Sequence, residues 1–178
     1  MTRSWWRRNA VALIALAVLV PGAAAAIGWR EWAATYEVSS QYVHPVTPQG
    51  DADTVEFGGA TWGPVTSGFF TEADGLPIPD GTRVVAVKVP VRNDDADAPV
   101  GCSSPVLVDQ STGTRWSEMS VALDLDYDPD APTLCASDSS SYEMLVPFIV
   151  PDDVDGPFWI DVAPYSEGPG FVRFSIAP

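Results

Sequence analysis

The first 32 residues constrain this chain more than any other segment. Ala10–Trp29 contains 20 residues without a charge, which as a helix measures roughly 30 Å, the thickness of a bilayer's hydrocarbon core. Tryptophans lie on both sides of this run, at Trp5, Trp6, Trp29 and Trp32, and amphipathic rings prefer the membrane–water interface. The pattern predicts a transmembrane helix that contacts the lipid bilayer through residues 10–29.

The charges on the two sides of the run predict its orientation. Three arginines precede it, whereas Arg30 follows it beside Glu31. The side with more Lys and Arg stays in the cytoplasm. We therefore interpret residues 1–29 as a cytoplasmic start and a signal anchor of a single-pass membrane protein, and we expect the rest of the chain to be extracytoplasmic.

The same segment also fits a cleaved secretory signal peptide. Its arginine-rich start precedes an 11-residue apolar core, Ala10–Val20, and the small residues Ala23–Ala26 suit an A-x-A cleavage site. We favour the retained anchor because the apolar run continues to Trp29 and ends in a second aromatic and charged flank. The alternative is a secreted protein, and both interpretations export the same part of the chain.

The exported part is strongly acidic. The chain has 24 Asp and Glu, nine Lys and Arg, and a formal charge of −15. All of the acids but only five of the bases lie beyond Arg30, so that part has a formal charge of −19. Such a field repels nucleic-acid phosphates and anionic lipid headgroups. We expect no nucleic-acid partner, whereas cations and basic protein surfaces remain compatible.

Residues 54–178 have the pattern of a β domain. Gly and Pro separate short runs rich in Val, Ile, Phe, Trp and Thr. The run RVVAVKVPVRN has a valine at every second position, which predicts a strand with one buried face. These valines are Val85, Val87, Val89 and Val91. Similar runs predict an all-β fold, an immunoglobulin-like antiparallel β-sandwich of about seven or eight strands. Residues 30–53 contain two prolines and no apolar period, and they predict a stalk.

Cys102 and Cys135 are the two cysteines of the chain. Both lie in the exported part, where an oxidising compartment lets disulfides persist. Their spacing does not make a C-x-x-C redox motif, and two cysteines without histidines do not make a zinc site. The sequence therefore predicts a structural disulfide, which contributes about 3–4 kcal/mol in the chain-entropy model.

Four aspartates alternate in the segment DLDYDPD, as the first ligands of calcium loops do. They are Asp124, Asp126, Asp128 and Asp130. The helical calcium loop fails, because Pro129 stands in place of the turn glycine and Cys135 in place of the closing glutamate. Two interpretations remain: a looser calcium site, or a solvated loop that blocks edge pairing, which we favour. The overlapping residues 119–126 alternate in hydropathy and predict a strand, with a short helix as the less favoured alternative.

Nothing in the sequence amounts to a catalytic signature. A serine-hydrolase triad needs a base, but the one histidine, His44, lies in the predicted stalk, and no G-x-S-x-G or phosphate-binding glycine loop occurs. We expect a non-enzymatic interaction or structural module of the cell envelope, whose partner is an unknown envelope protein or ligand. The alternative is a ligand- or calcium-binding sensor. Among Trp62, Trp116 and Trp159, we expect one or two in the core and one available to a partner.

The strand pattern resembles that of telokin-like, immunoglobulin-like domains of unknown function in exported bacterial envelope proteins. The resemblance rests on the segments RVVAVKVPVRN, VLVDQSTGTRW, LVPFIVP and FWIDVAP, and it covers roughly residues 54–176. It implies a fold similar to that of a secreted immunoprotective antigen of mycobacteria, and the Trp-Trp-Arg-Arg start looks actinobacterial. The chain lacks the lipobox cysteine of the lipoprotein members, and the resemblance supplies no catalytic residues.

Overall fold

The chain forms two compact units, Met1–Gln41 and Tyr42–Pro178. The computed structural model describes residues 3–39, 43–70, 76–126, 128–136 and 139–178. We refer to the first unit as the helix unit and to the second as the β unit.

The helix unit consists of one long α-helix, α1 (Arg3–Ser39). Within α1, Asn9–Trp29 is a 21-residue span with a mean hydropathy of 2.5. At 1.5 Å per residue this span is about 31 Å long, so it is long and apolar enough to cross a membrane or to be a signal sequence. Its apolar side chains are exposed, as Val11 and Leu19 illustrate. A helix buried in a protein core would instead hide such side chains.

The β unit contains ten strands among its described residues, and they form two sheets. In chain order, the strands are β1 (His44–Val46), β2 (Val55–Phe57), β3 (Ala60–Trp62), β4 (Thr66–Phe70), β5 (Thr82–Asn93), β6 (Val106–Asp109), β7 (Arg115–Ser117), β8 (Ser141–Pro151), β9 (Phe158–Val162) and β10 (Gly170–Ile176). A short 3-10 helix, Tyr165–Glu167, precedes β10. The strand β1 lies within the segment that the sequence predicts as a stalk.

The two sheets are organised around different strands. The first sheet has the order β1-β10-β9-β6-β7, and its pairs are antiparallel except for the parallel pair of β1 and β10. In the second sheet β5 is central. It pairs with β8 along nearly its whole length, and with β3 and β4 at successive positions on its other side, while β2 pairs with β3.

The alternation in β5 produces the predicted buried face. Val85, Val87 and Val89 are fully buried and Val91 is nearly so, whereas Lys88 and Arg92 are exposed on the opposite face. Buried side chains from both sheets form one core. The predicted inward residues of the last strand belong to it as well: Val172, Phe174 and Ile176. The prediction of a mostly β fold is confirmed: ten described strands, where about seven or eight were predicted, form two sheets around this core.

The predicted strand at residues 119–126 is wrong. This segment forms turns, in which the amide of Leu123 donates to the carbonyl of Met119 and that of Leu125 to Ser120, each at 3.1 Å. Leu123 is fully buried, but Val121 is 89% exposed. Hydrogen bonds between residues four and five apart have replaced a strand ladder, so the alternate apolar residues do not share a face.

Residues 118–126 and 128–136, which we name the acidic strap, contact the edge of β8 that β5 does not pair with. The amide of Met119 donates to the carbonyl of Pro147, and the amide of Leu145 donates to that of Pro132, both at 3.0 Å. The predicted disulfide is confirmed at the end of the strap, where Cys102 and Cys135 are bonded with their Cα atoms 5.5 Å apart. The strap and its disulfide thus satisfy part of an edge that would otherwise be open to other chains.

Candidate functional site

The four aspartates of the predicted calcium loop are all exposed in the acidic strap. Asp128 accepts a hydrogen bond from the amide of Asp130 at 2.9 Å, a turn that aspartate side chains commonly make, and Asp124 has a φ of 53°. Among the described residues, no three His, Cys, Asp or Glu side chains come together as a possible metal site. These contacts are those of a solvated loop, and calcium binding stays a prediction.

The three tryptophans of the β unit have different environments. Trp62 is fully buried, and its Nε1 donates to the carbonyl of Phe57 at 2.8 Å. Trp116 is partly buried and packs edge-on against Phe158, with 6.0 Å between the ring centroids. Trp159 is partly buried on the outer face of the first sheet and lines a groove. It is therefore the tryptophan with access to a ligand.

This groove, which we name the β10 groove, has a volume of about 380 Å³. One wall is the loop that follows β1, and another is the turn at residues 64–65. The floor is the end of β10 together with Trp159. Volumes of this size are typical of ligand sites.

The groove exists because β1 stops before β10 does. β1 pairs with residues 170–172, whereas β9 pairs with the opposite edge of β10 as far as Ile176. The amide of His44 donates to the carbonyl of Pro169, and in a parallel ladder every second residue donates to the same neighbour. The donors are therefore residues 44, 46 and 48. Pro48 has no N–H, so the ladder ends there.

The end of the ladder leaves backbone groups of β10 facing the groove. The alternation that directs the amides of Phe171 and Arg173 towards β1 also directs the carbonyl of Arg173 and the amide of Ser175 towards that side. No strand among the described residues pairs with this part of the edge. The groove thus offers one acceptor and one donor in the geometry of a strand ladder.

Gly63 fixes the wall of the groove. Its φ is +90°, and a Cβ placed there would lie 2.7 Å from the carbonyl oxygen of Asp53 and 3.2 Å from the ring of Phe174. Only glycine permits both this backbone conformation and this approach. The loop after β1 can therefore pack directly against the 63–65 turn and keep the groove narrow.

The arginine that lines the groove is held in an ion pair. Arg173 forms a two-pronged ion pair with buried Asp161, with Nε–Oδ1 and Nη2–Oδ2 distances of 2.7 and 2.8 Å, and its guanidinium lies 4.4 Å from the ring centroid of Trp159. Arg115 approaches the same carboxylate at 3.9 Å. By contrast, Asp53 is exposed and forms no ion pair with the described residues. The lining of the groove therefore contains one paired cation, Arg173, and one carboxylate without an ion pair, Asp53.

The groups in the groove are suited to binding. The hydroxyl of Ser175 accepts a hydrogen bond from the side-chain amide of Gln110 at 2.8 Å, and none of the described residues lining the groove is a histidine or lysine that could act as its base. A backbone edge, an aromatic ring and a carboxylate are elements of recognition. The sequence does not predict this site, and the one signal for it is Pro48, two residues after a valine of β propensity.

Known proteins add no information on this site. No protein-family model, curated protein or solved structure matches this chain. The resemblance to telokin-like domains of actinobacterial envelope proteins therefore stays a prediction.

Proposed function

We propose that this chain is a single-pass membrane protein whose β unit lies outside the cytoplasm and acts by binding, without catalysis. The observation that carries the proposal is the succession, in one chain, of the apolar span Asn9–Trp29 and a disulfide-bonded β unit. The span supplies a means of attachment. The disulfide suits an oxidising compartment, and the arginines before the span favour a cytoplasmic N-terminus.

We also propose that the two sheets form an immunoglobulin-like sandwich of the bacterial cell envelope. Support comes from their shared core and from the largely antiparallel pairing within each sheet. The binding role is supported by the β10 groove, which combines free backbone groups with Trp159. No observation on the described residues favours a calcium sensor as a second candidate.

The topology is tested with the full chain carrying a tag at its N-terminus and expressed in bacterial cells. We expect the tagged chain to be extracted by detergent with its tag still attached, and the untagged chain to keep Met1 or Thr2 as its first residue. We also expect protease added outside the cytoplasmic membrane to degrade the β unit and to spare the tag. Replacing Arg3, Arg7 and Arg8 by Asn should reduce the fraction in this orientation, because the charge asymmetry is lost.

Two results would contradict the proposal. A mature N-terminus at Ala25, Ala26 or Ile27 in released protein would show that the span is a cleaved signal peptide. A β unit that stays protected from external protease, in cells where the tag is cleaved, would show the opposite orientation.

A further inference from the structure

We propose that the β10 groove binds an extended, basic peptide segment of a partner protein, which adds to the first sheet beyond the end of β1. This inference deepens the proposed binding role and rests on it. The partner segment would pair with β10 along residues 173–176 and place Lys or Arg side chains near Asp53.

The backbone of β10 provides the first argument. An exposed strand edge is a template for another strand, and peptide recognition by strand addition uses this property. Here the neighbouring strand is only three residues long and ends two residues before Pro48, so the edge is open from the carbonyl of Arg173 onward. A peptide strand can satisfy both the carbonyl of Arg173 and the amide of Ser175, because its own groups repeat at the same spacing.

The shape of the groove provides the second argument. Successive side chains of a strand point to opposite faces of the sheet, so every second side chain of an added strand would meet the outer face, where Trp159 lies. Pro64 and Val65 add apolar surface at the other wall. The site can therefore select an apolar side chain at one position of the peptide in addition to pairing with its backbone.

Charge identifies the class of peptide. Arg173 is bound to Asp161, so Asp53 is the charge that remains open to a ligand at the groove. The exported part as a whole has a formal charge of −19, which attracts basic partners and accelerates their association. The same field disfavours a second copy of this chain as the occupant, because two strongly acidic units would repel each other.

The test uses the full chain in nonionic detergent and a synthetic peptide, acetyl-KVKVKVKV-amide, as the probe. We expect binding by titration calorimetry and slower hydrogen exchange at the amide of Ser175. The Asp53→Lys variant should bind at least about tenfold more weakly. The Asp128→Lys variant makes the same charge change on the exposed acidic strap, and it should alter affinity less than about twofold.

Two control peptides separate backbone pairing from simple attraction between charges. The same peptide with N-methyl groups at every residue lacks the donors along both edges, and we expect it to bind at least about tenfold more weakly. The acidic peptide acetyl-EVEVEVEV-amide should not bind.

Several results would overturn the proposal. The proposal is wrong if Asp53→Lys and Asp128→Lys weaken peptide binding equally, or if the N-methylated peptide binds as tightly as the unmodified one. It is also wrong if the oligosaccharide chitotetraose, titrated in the same way, binds while the KVKVKVKV peptide does not. Because the measurement uses purified protein, its failure would leave the proposed topology untouched. Conversely, a cleaved N-terminus in cells would not alter the result at the groove.

Discussion

Buried carboxylates of the β unit are stabilised by different partners. Asp161 lies on the outer face of a sheet and is held by guanidinium groups. Asp109, at the end of β6, instead accepts hydrogen bonds within its own turn, from the hydroxyl and amide of Ser111 at 2.6 Å each and from the amide of Thr112 at 2.9 Å. These bonds, with that of the Ser111 hydroxyl foremost, lower the pKa of Asp109 from its ordinary value of 3.8, although burial acts in the opposite direction.

The lowered pKa predicts a pH-dependent effect of Asp109→Asn. Because the folded state has the lower pKa, the charged form stabilises the fold above the unfolded-state pKa near 3.8, and this contribution is lost as the pH falls through the folded-state value. We expect the variant to be less stable than the wild type at pH 7, and the difference to shrink below about pH 3.8. Urea unfolding at pH 7 and at pH 2.5 measures it. A difference that is the same at both values would contradict this prediction, and Asp152→Asn in an exposed turn is the control.

Shortening one buried valine of β5 tests the register of the second sheet. Val87 is fully buried and pairs with Val146 of β8 and Ser67 of β4. Val87→Ala should lower the free energy of unfolding by about 1–3 kcal/mol, because apolar burial is lost and a cavity remains. Val121→Ala makes the same chemical change at an 89% exposed position and should change it by less than about 0.5 kcal/mol. Equal effects would show that β5 has another register.

At the scale of elements, length and periodicity decide what can be predicted from the sequence. The strands β5 and β10 were predictable because apolar residues alternate within them, and β8 was predictable because its apolar run is long and rich in β-forming residues. The strand prediction for residues 119–126 was wrong because a short alternation of apolar residues also fits a series of turns in which only Leu123 is buried. The sequence did not predict β1, because three residues are too few to show a periodic pattern. The β10 groove was not predicted either, because the groove depends on pairing between residues 44–46 and 170–172, which are remote in the chain.

The acidic strap and its disulfide form an element whose role can be measured. The double variant Cys102→Ser/Cys135→Ser should lose about 3–4 kcal/mol of stability in the chain-entropy model. We also expect faster hydrogen exchange at the amides of Met119 and Leu145, which both form hydrogen bonds between the strap and β8. Dithiothreitol should produce the same changes in the wild type and none in the variant. Unchanged exchange at both amides would show that the strap is held without the disulfide.

At the scale of the whole molecule, charge and hydropathy are sharply divided along the chain. No acid precedes Glu31, and the apolar span lies between the first three arginines and the acidic part. This division was predictable from the sequence because it depends on composition over tens of residues. The proposed binding role was harder to predict from the sequence. Its support is the unpaired edge of β10 beyond residue 172 and one carboxylate, Asp53, that forms no ion pair with the described residues.

The parallel pairing of β1 with β10 has a mechanical consequence. β1 begins three residues after the helix unit ends at Gln41, so in the proposed anchored state tension along the tether would reach this strand first. When the start of one strand is pulled against the far end of its parallel neighbour, the force runs along both strands. All of the bonds between them then share the load, whereas peeling would open them one at a time. In the proposed complex, a partner seated at the end of β10 would pull in this shear direction, and a pair only three residues long would carry the load between membrane and partner.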